Sequence, residues 1–386
     1  MVKRDVMQCF AYSALSYNSF GPARTFQEVL RSFDDEGLSV TAFSPRLRYR
    51  PDNGVRQVQG LPIPFRYLPW KYVGTHGAQL TENRLVAAAL RESGRRCIYT
   101  FPDLSIESHQ RLRDAGVCIV REMTNLHRGT ARRILSQAFE EEGLPPYTEI
   151  TAKSVEVEQK CLEYSDYVFA PNAEVADSLT EFGVAPDRIL DTSYGWSRSR
   201  YPSLDMPRDK SPAEAVALYV GRVSYEKGVH YLLRAWHRAG TPGKLVLAGA
   251  MDPLLESRMA DELAHPSIER LGFVKNMSEV YASADYFVFP SLVEGGPQVV
   301  YEAAAHGLAP LVSPKGAGRM IADADHGVIV EPSNIDEFAE AITRFASDRE
   351  LTERIGKNAR KRAARYEWAE VSKERARLIM QAVGSN

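Results

Sequence analysis

One alternation occurs twice along the chain. Short β-branched and aromatic runs alternate with longer amphipathic stretches through residue 170, and the pattern restarts near residue 215. Segments 5–12, 38–44, 97–101, 117–122 and 167–170 read as strands, with helices such as 23–35, 82–93 and 105–115 between them. In the second set the strands are 215–220, 244–248, 268–271, 286–290, 309–312 and 327–330. Its helices are 230–238, 256–263, 298–306 and 335–345. Parallel strands need a crossover, usually a helix, so this alternation predicts parallel sheets covered on both faces. The expected fold class is α/β, with two Rossmann-like doubly wound domains. A length of 386 residues agrees, at ~100–200 residues per domain.

The expected boundary lies in residues 191–213, a Ser-, Arg-, Pro- and Asp-rich segment without periodicity. It divides the chain into 1–192 and 193–365. Residues 366–386 read as a helix crossing back to the first domain.

Charge and cysteine content exclude several classes. The formal net charge is -2, far from the basic balance of a protein that grips nucleic acid by its phosphates. The four cysteines are widely separated, which argues against a zinc ribbon or a disulfide framework. No run approaches the ~20 apolar residues of a membrane span, and the first residues, MVKRDVMQCF, lack a signal-peptide core. A cytoplasmic protein is the expectation. Residues 45–76 are irregular, rich in proline, arginine and aromatics. They read as a surface loop with snorkelling arginines, or as a peripheral membrane contact suited to an anionic interface.

The most informative stretch is 285–307, DYFVFPSLVEGGPQVVYEAAAHG. A hydrophobic strand enters a turn, Glu294-Gly295-Gly296-Pro297, and a helix follows. Pro297 suits the first helical position, and the glycines allow close backbone approach to a ligand. The first N–H groups of the helix, at Gln298, Val299 and Val300, make an anion site. Glu294 and Glu302 suit hydroxyl-rich groups, because carboxylates accept hydrogen bonds. A second turn, Gly221-Arg222-Val223-Ser224-Tyr225-Glu226-Lys227-Gly228, places two cations before a helix. Arg222 and Lys227 fit a diphosphate. The spacing is not that of a Walker loop.

Residues 215–346 resemble the nucleotide-binding half of glycosyltransferase family 4, the glycosyl group 1 transferases. The resemblance rests on the Gly221-Arg222…Glu226-Lys227-Gly228 loop and the Leu247-Ala248-Gly249 and Leu271-Gly272-Phe273-Val274 strand ends. It rests also on Glu294-x7-Glu302 and on Gly327-Val328-Ile329-Val330-Glu331-Pro332. Ser165–Asn172 and Tyr194-Gly195-Trp196 extend it more loosely into the first half.

The resemblance implies a GT-B fold and transfer of a sugar from a nucleoside diphosphate sugar with retention. Arg222 and Lys227 would hold the diphosphate and stabilise it as it leaves. Glu302 would bind the ribose, and Glu294 the donor sugar, helped by the backbone of Gly295, Gly296, Pro297, Gln298 and Val299. Phe273 and Val274 would face the base. No metal or other cofactor is implied, and Asp323-Ala324-Asp325 reads as a surface turn. Gly21 keeps the family's first glycine in the loop after the first strand, with Arg24 beyond it, but Pro22 replaces the second glycine. His127 falls near the strand end where the family places a histidine close to the reacting carbon. Asp103 and His109 are weaker candidates. The implied partners are a UDP-, GDP- or related sugar and a hydroxyl acceptor, lipid-linked, polysaccharide or small. Two alternatives remain open: another GT-B enzyme such as an epimerase, and an inert sugar-nucleotide-binding subunit.

Overall fold

The computed structural model describes residues 7–15, 21–47, 55–102, 104–201, 204, 214–240 and 243–384. Asn18–Phe20, Arg48, Arg50, Asp103 and most of the segment 202–213 lie outside the described residues. The first domain holds a seven-stranded sheet. Its strands are Met7–Ser13 (β1), Leu38–Ser44 (β2), Arg56–Gln59 (β3), Arg96–Phe101 (β4), Cys118–Glu122 (β5), Tyr167–Ala170 (β6) and Ile189–Asp191 (β7). They lie in the order β3-β2-β1-β4-β5-β6-β7, parallel throughout.

The second domain repeats the plan with six strands: Ala215–Val220 (β8), Gly243–Ala248 (β9), Ile268–Gly272 (β10), Tyr286–Phe289 (β11), Ala309–Val312 (β12) and Val328–Ile329 (β13). Their order is β10-β9-β8-β11-β12-β13, again parallel. β11 and β12 are buried along their whole length, as continuous apolar runs demand. In sheets of this order the chain reverses direction between first and fourth strands. The ligand crevice opens there, beyond the strand C-termini.

The stretch read as an irregular loop, 45–76, contains more structure than expected. β3 lies within it and pairs with β2, and a 22-residue helix, Trp70–Arg91, begins inside it. The helix has little separation of apolar and polar faces, so periodicity did not reveal its first turns. The predicted helix 256–263 is two short ones, Pro253–Arg258 and Ala260–Leu263, interrupted at Met259.

The chain crosses between domains twice, and the crossings lie side by side. The Trp196 N–H donates to the Tyr366 carbonyl at 2.9 Å, and the Trp368 N–H donates to the Trp196 carbonyl at 2.9 Å. After the second crossing, helix Trp368–Gly384 enters the first domain's core, where Trp368, Val371 and Ile379 join a cluster with Phe26, Val29 and Tyr99. Arg375 is fully buried there. Its guanidinium donates to Glu122 Oε2 at 2.6 Å and Oε1 at 3.2 Å, and to the Ser193 carbonyl. Tyr99 donates to the same carboxylate at 2.6 Å.

Candidate active site

β8 ends at Val220, and the turn after it carries both cations. Gly249, at the end of β9, lies so close to this turn that a Cβ on it would sit 1.8 Å from the Gly221 carbonyl oxygen. Arg222 is half-exposed and donates to Asp252 Oδ2 at 2.6 Å. Asp252 also caps the helix Pro253–Arg258. Lys227 reaches across to the turn after β11. Its Nζ lies 2.5 Å from Glu294 Oε1 and 3.4 Å from the Val293 carbonyl. Ser291 Oγ donates to the same Glu294 oxygen at 2.9 Å. Loops from the central strands β8 and β11 thus bring Arg222, Lys227 and Glu294 to one end of the sheet.

Helix Gln298–Ala305 starts just past this turn. The Val300 N–H is taken by the Pro297 carbonyl at 3.0 Å, so the anion site narrows to the N–H groups of Gln298 and Val299. Glu302 is only 4% exposed. Arg200 Nη1 sits 2.5 Å from its Oε1, and the Tyr281 hydroxyl donates to its Oε2 at 3.1 Å. Burial first, and the Glu302 carboxylate second, push the Tyr281 phenol well above its usual range, so it stays a donor. Phe273 stands 86% exposed just beyond β10, with Val274 beside it.

The glycine pair does something the sequence reading did not anticipate. A Cβ on Gly295 would lie 2.2 Å from the Thr124 carbonyl oxygen, and one on Gly296 would lie 2.2 Å from the Tyr194 ring. Asn172 donates to the Gly295 carbonyl, and Gln298 Nε2 donates to Thr25 Oγ1 at 2.8 Å. Gly295 lets the first domain's backbone approach at Thr124, and Gly296 admits the Tyr194 ring of that domain's core, rather than only a ligand.

His127 is placed differently from the expectation. It is 0% exposed, stacked on Phe182 at 3.8 Å between centroids, and caps helix Arg128–Glu141 by accepting from the Gly129 N–H. Burial lowers its pKa, partly offset by Glu158. A side chain closed off in this way does not line the cleft, and the role beside the reacting sugar is corrected to a structural one. His109 is likewise buried, bonded to the Ser105 carbonyl at 3.0 Å. Gly21 opens helix Gly21–Leu30 with a φ of 61°, and Arg24 pairs with Glu28 at 3.1 Å. Asp323 bonds His326 and Asp325 pairs with Arg354. Among the described residues no group of three or more metal-type ligands is present.

Two cavities flank the site. One, of about 340 Å³, lies beyond β5 and is lined by Thr124, Asn125, Arg128, Tyr147, Glu149 and Ser154 among others. The other, of about 250 Å³, shares Tyr147 and Glu149 and continues to Arg222, Glu226 and Asp252. The segment between them is held by Glu142, which forms a bidentate pair with Arg234 at 2.6 Å per bond. Sequence reasoning missed Arg200, Tyr281, Glu142 and Tyr147. Arg200 lies in a linker without periodicity, and the others lie at helix ends or in a loop, where no local pattern signals contacts made across the fold.

Residues 206–362 match the family model described as glycosyl transferases group 1. An uncharacterised glycosyltransferase of Methanocaldococcus jannaschii is 34% identical over 186 residues, 44% of this chain and 47% of that protein. Glycogen synthase of Mycobacterium tuberculosis is 30% identical over 239 residues, 58% of this chain and 56% of that one. The chain thus spans about half the length of these curated relatives. Sucrose-phosphate synthase from Thermosynechococcus elongatus superposes with a TM-score of 0.71 at 20% identity, covering 98% of this chain and 100% of that one. Anabaena HepE in complex with UDP and glucose superposes with a TM-score of 0.67 at 16% identity, covering 97% and 100%. The fold is GT-B, and the resemblance to group 1 transferases holds for the second domain.

Proposed function

From a second domain of the group 1 glycosyl transferase kind, we propose that the chain is a retaining, metal-independent family 4 glycosyltransferase. It would move a sugar from a nucleoside diphosphate sugar to an acceptor hydroxyl in glycan, polysaccharide or glycolipid synthesis. The observation that carries this reading is the convergence of Arg222, Lys227 and Glu294 with the first turn of helix Gln298–Ala305 at one sheet end. The neighbours solved with UDP or UDP-glucose support a donor of this class.

In the ligand-free chain each cation already has a carboxylate partner. An incoming diphosphate would draw Arg222 from Asp252 and share Lys227 with Glu294. As the bond from the sugar's anomeric carbon to the diphosphate breaks, negative charge grows on the departing oxygen. Once drawn to the diphosphate, the two cations and the Gln298 and Val299 N–H groups would oppose that charge. They supply at the phosphates what a bound metal ion would otherwise supply. Attack from the face that the diphosphate leaves makes its freed oxygen the base that takes the acceptor proton. Glu294 would orient the donor sugar, and Glu302 the ribose, with Arg200 giving way. The acceptor would enter through the cavity beside Thr124 and Asn125. The first domain also carries a basic, aromatic surface, which suits a peripheral place at a membrane.

The test is thermal stabilisation by UDP, GDP, ADP, TDP, CMP and NAD. A ligand at a hundredfold excess over Kd stabilises by about 2.7 kcal/mol. A shift with one nucleoside diphosphate, lost in Lys227→Ala and Glu302→Ala, is the expected result. No shift with any of them, or one unchanged in both variants, removes the reading.

A further inference from the structure

The exposed large apolar side chains of the described residues are not scattered. Six of the twelve fall in a ten-residue window: Ile63, Phe65, Tyr67, Leu68, Trp70 and Tyr72. Single exposed apolar residues are ordinary, but a contiguous group marks a surface that something covers. The backbone holds this one out by a fixed scaffold. Arg46, itself buried, donates to the Leu68 carbonyl at 2.6 Å and lies 5.6 Å from the Trp70 ring centroid. Leu61 tucks under the helix against Gly77.

Charge identifies the occupant. Residues 53–81 contain no Asp or Glu, in a chain where 50 of 386 residues are acidic. The same span carries Arg56, Arg66 and Lys71. Arg66 lies over the Tyr67 ring at 4.8 Å and Lys71 over the Tyr72 ring at 4.8 Å. Cations set beside amphipathic rings are the composition of a bilayer's headgroup boundary, where rings enter the interface and cations meet anionic phosphates.

Topology gives the patch its direction. It follows β3 directly, and Gly60 and Leu61 bond the carbonyls of Ser44 and Pro45 at the C-terminal end of β2. Thr124, against the Gly295 turn, lies at the same end of the same sheet, just beyond β5. Four strand spacings separate β3 from β5, roughly 19 Å at about 4.8 Å each.

We infer that residues 61–72 dock the first domain onto an anionic lipid bilayer, with the cleft mouth beside the headgroups. An acceptor hydroxyl carried by a lipid then reaches the cavity at Thr124 and Asn125 without leaving the membrane. The docking stands by itself; the acceptor class rests on the transferase reading.

Co-sedimentation tests it, with vesicles of phosphatidylcholine alone and of phosphatidylcholine with one-third phosphatidylglycerol, at 0.1 and 0.5 M salt. The full chain should bind the anionic vesicles, at least ten-fold more weakly at high salt or on neutral vesicles. Each cation near such a surface strengthens binding about five-fold. Arg66→Glu/Lys71→Glu should therefore weaken it by roughly 30-fold or more. Phe65→Ser/Tyr72→Ser should weaken it at least ten-fold, and both variants should keep the parent melting temperature and nucleotide response. Absence of vesicle binding in the parent, or equal binding by both variants, overturns the docking. So does a dimer in light scattering that the variants dissociate, since a second copy would then cover the patch. Vesicle binding with no nucleotide response would instead remove the transferase reading alone.

Discussion

Lys227→Met removes the site's inner cation and keeps most of its stem. Its Nζ sits 2.5 Å from Glu294 Oε1, in a half-open position at the end of the sheet. A hydrogen bond to a charged group contributes ~1.5–3 kcal/mol. Nucleoside diphosphate affinity should therefore fall about 10- to 150-fold. A second effect follows from the pair. Without Lys227, the Glu294 carboxylate faces the incoming diphosphate with Ser291 Oγ as its one side-chain partner among the described residues. At about 6 Å and an effective dielectric near 20, two like charges repel by about 3 kcal/mol before solvent screening. Adding Glu294→Gln to Lys227→Met should then recover about ten-fold of the lost affinity. Glu294→Gln alone should bind nucleotide nearly as the parent does and lose sugar transfer. Titration calorimetry with the nucleoside diphosphate that stabilises the chain, at 0.1 M salt, reads all three variants. If Lys227→Met binds like the parent, the diphosphate is held elsewhere. If the double variant binds no better than Lys227→Met, Glu294 does not face the phosphates.

Arg375→Met strands a fully buried Glu122 carboxylate and should cost about 3–5 kcal/mol in urea unfolding; adding Glu122→Gln should restore part of it, and no recovery would mean that the cost is lost packing. Gly295→Ala and Gly296→Ala place a methyl against the other domain, so small-angle scattering should show a larger radius of gyration and turnover should fall more than nucleotide affinity; an unchanged radius with full activity would remove the domain-contact role. His230 is buried, neither ring nitrogen has a hydrogen-bond partner, and burial followed by the Arg234 charge lowers its pKa to about 3. The unfolded chain, at about 6.5, binds that proton first, so stability should fall with pH by about 1.4 kcal/mol per unit between roughly 6.5 and 3. His230→Phe should flatten the difference in urea midpoint between pH 7.5 and 5.5; an equal slope would assign the loss to other groups.

The periodic part of the fold was open to reading from residues alone. β8, β9, β11 and β12 are short apolar runs with turn residues at their ends, and they formed close to where they were expected. β3 and β7 were not legible. They are edge strands of four and three residues, and RQVQ and ILD carry too little pattern to stand out. At the site, Arg222, Lys227 and Glu294 were legible because each lies in a strand-to-helix turn whose glycines advertise it. Arg200 was not, because its tie to Glu302 depends on the linker folding back over the second domain, and Tyr281 was not, because it reaches Glu302 from a separate short helix. His127 misled for a related reason: a histidine after a strand end fits a helix cap as well as a catalytic position, and only burial separates the two.

The return of helix Trp368–Gly384 sets the order in which the molecule can be made. Synthesis delivers the first domain's sheet through β7 at residue 191, but not the Trp368, Val371 and Ile379 side chains that complete its core. Glu122 waits as well, because Arg375 is nearly two hundred residues behind Ser193, whose carbonyl it also binds. The second domain, contiguous from β8 to the helix Arg349–Ala363, has its strands and core in hand before the ribosome reaches Trp368. The half that leaves the ribosome first is therefore the half that matures last, and a chain released short of residue 368 carries every strand and core helix of the second domain behind an unsealed first one.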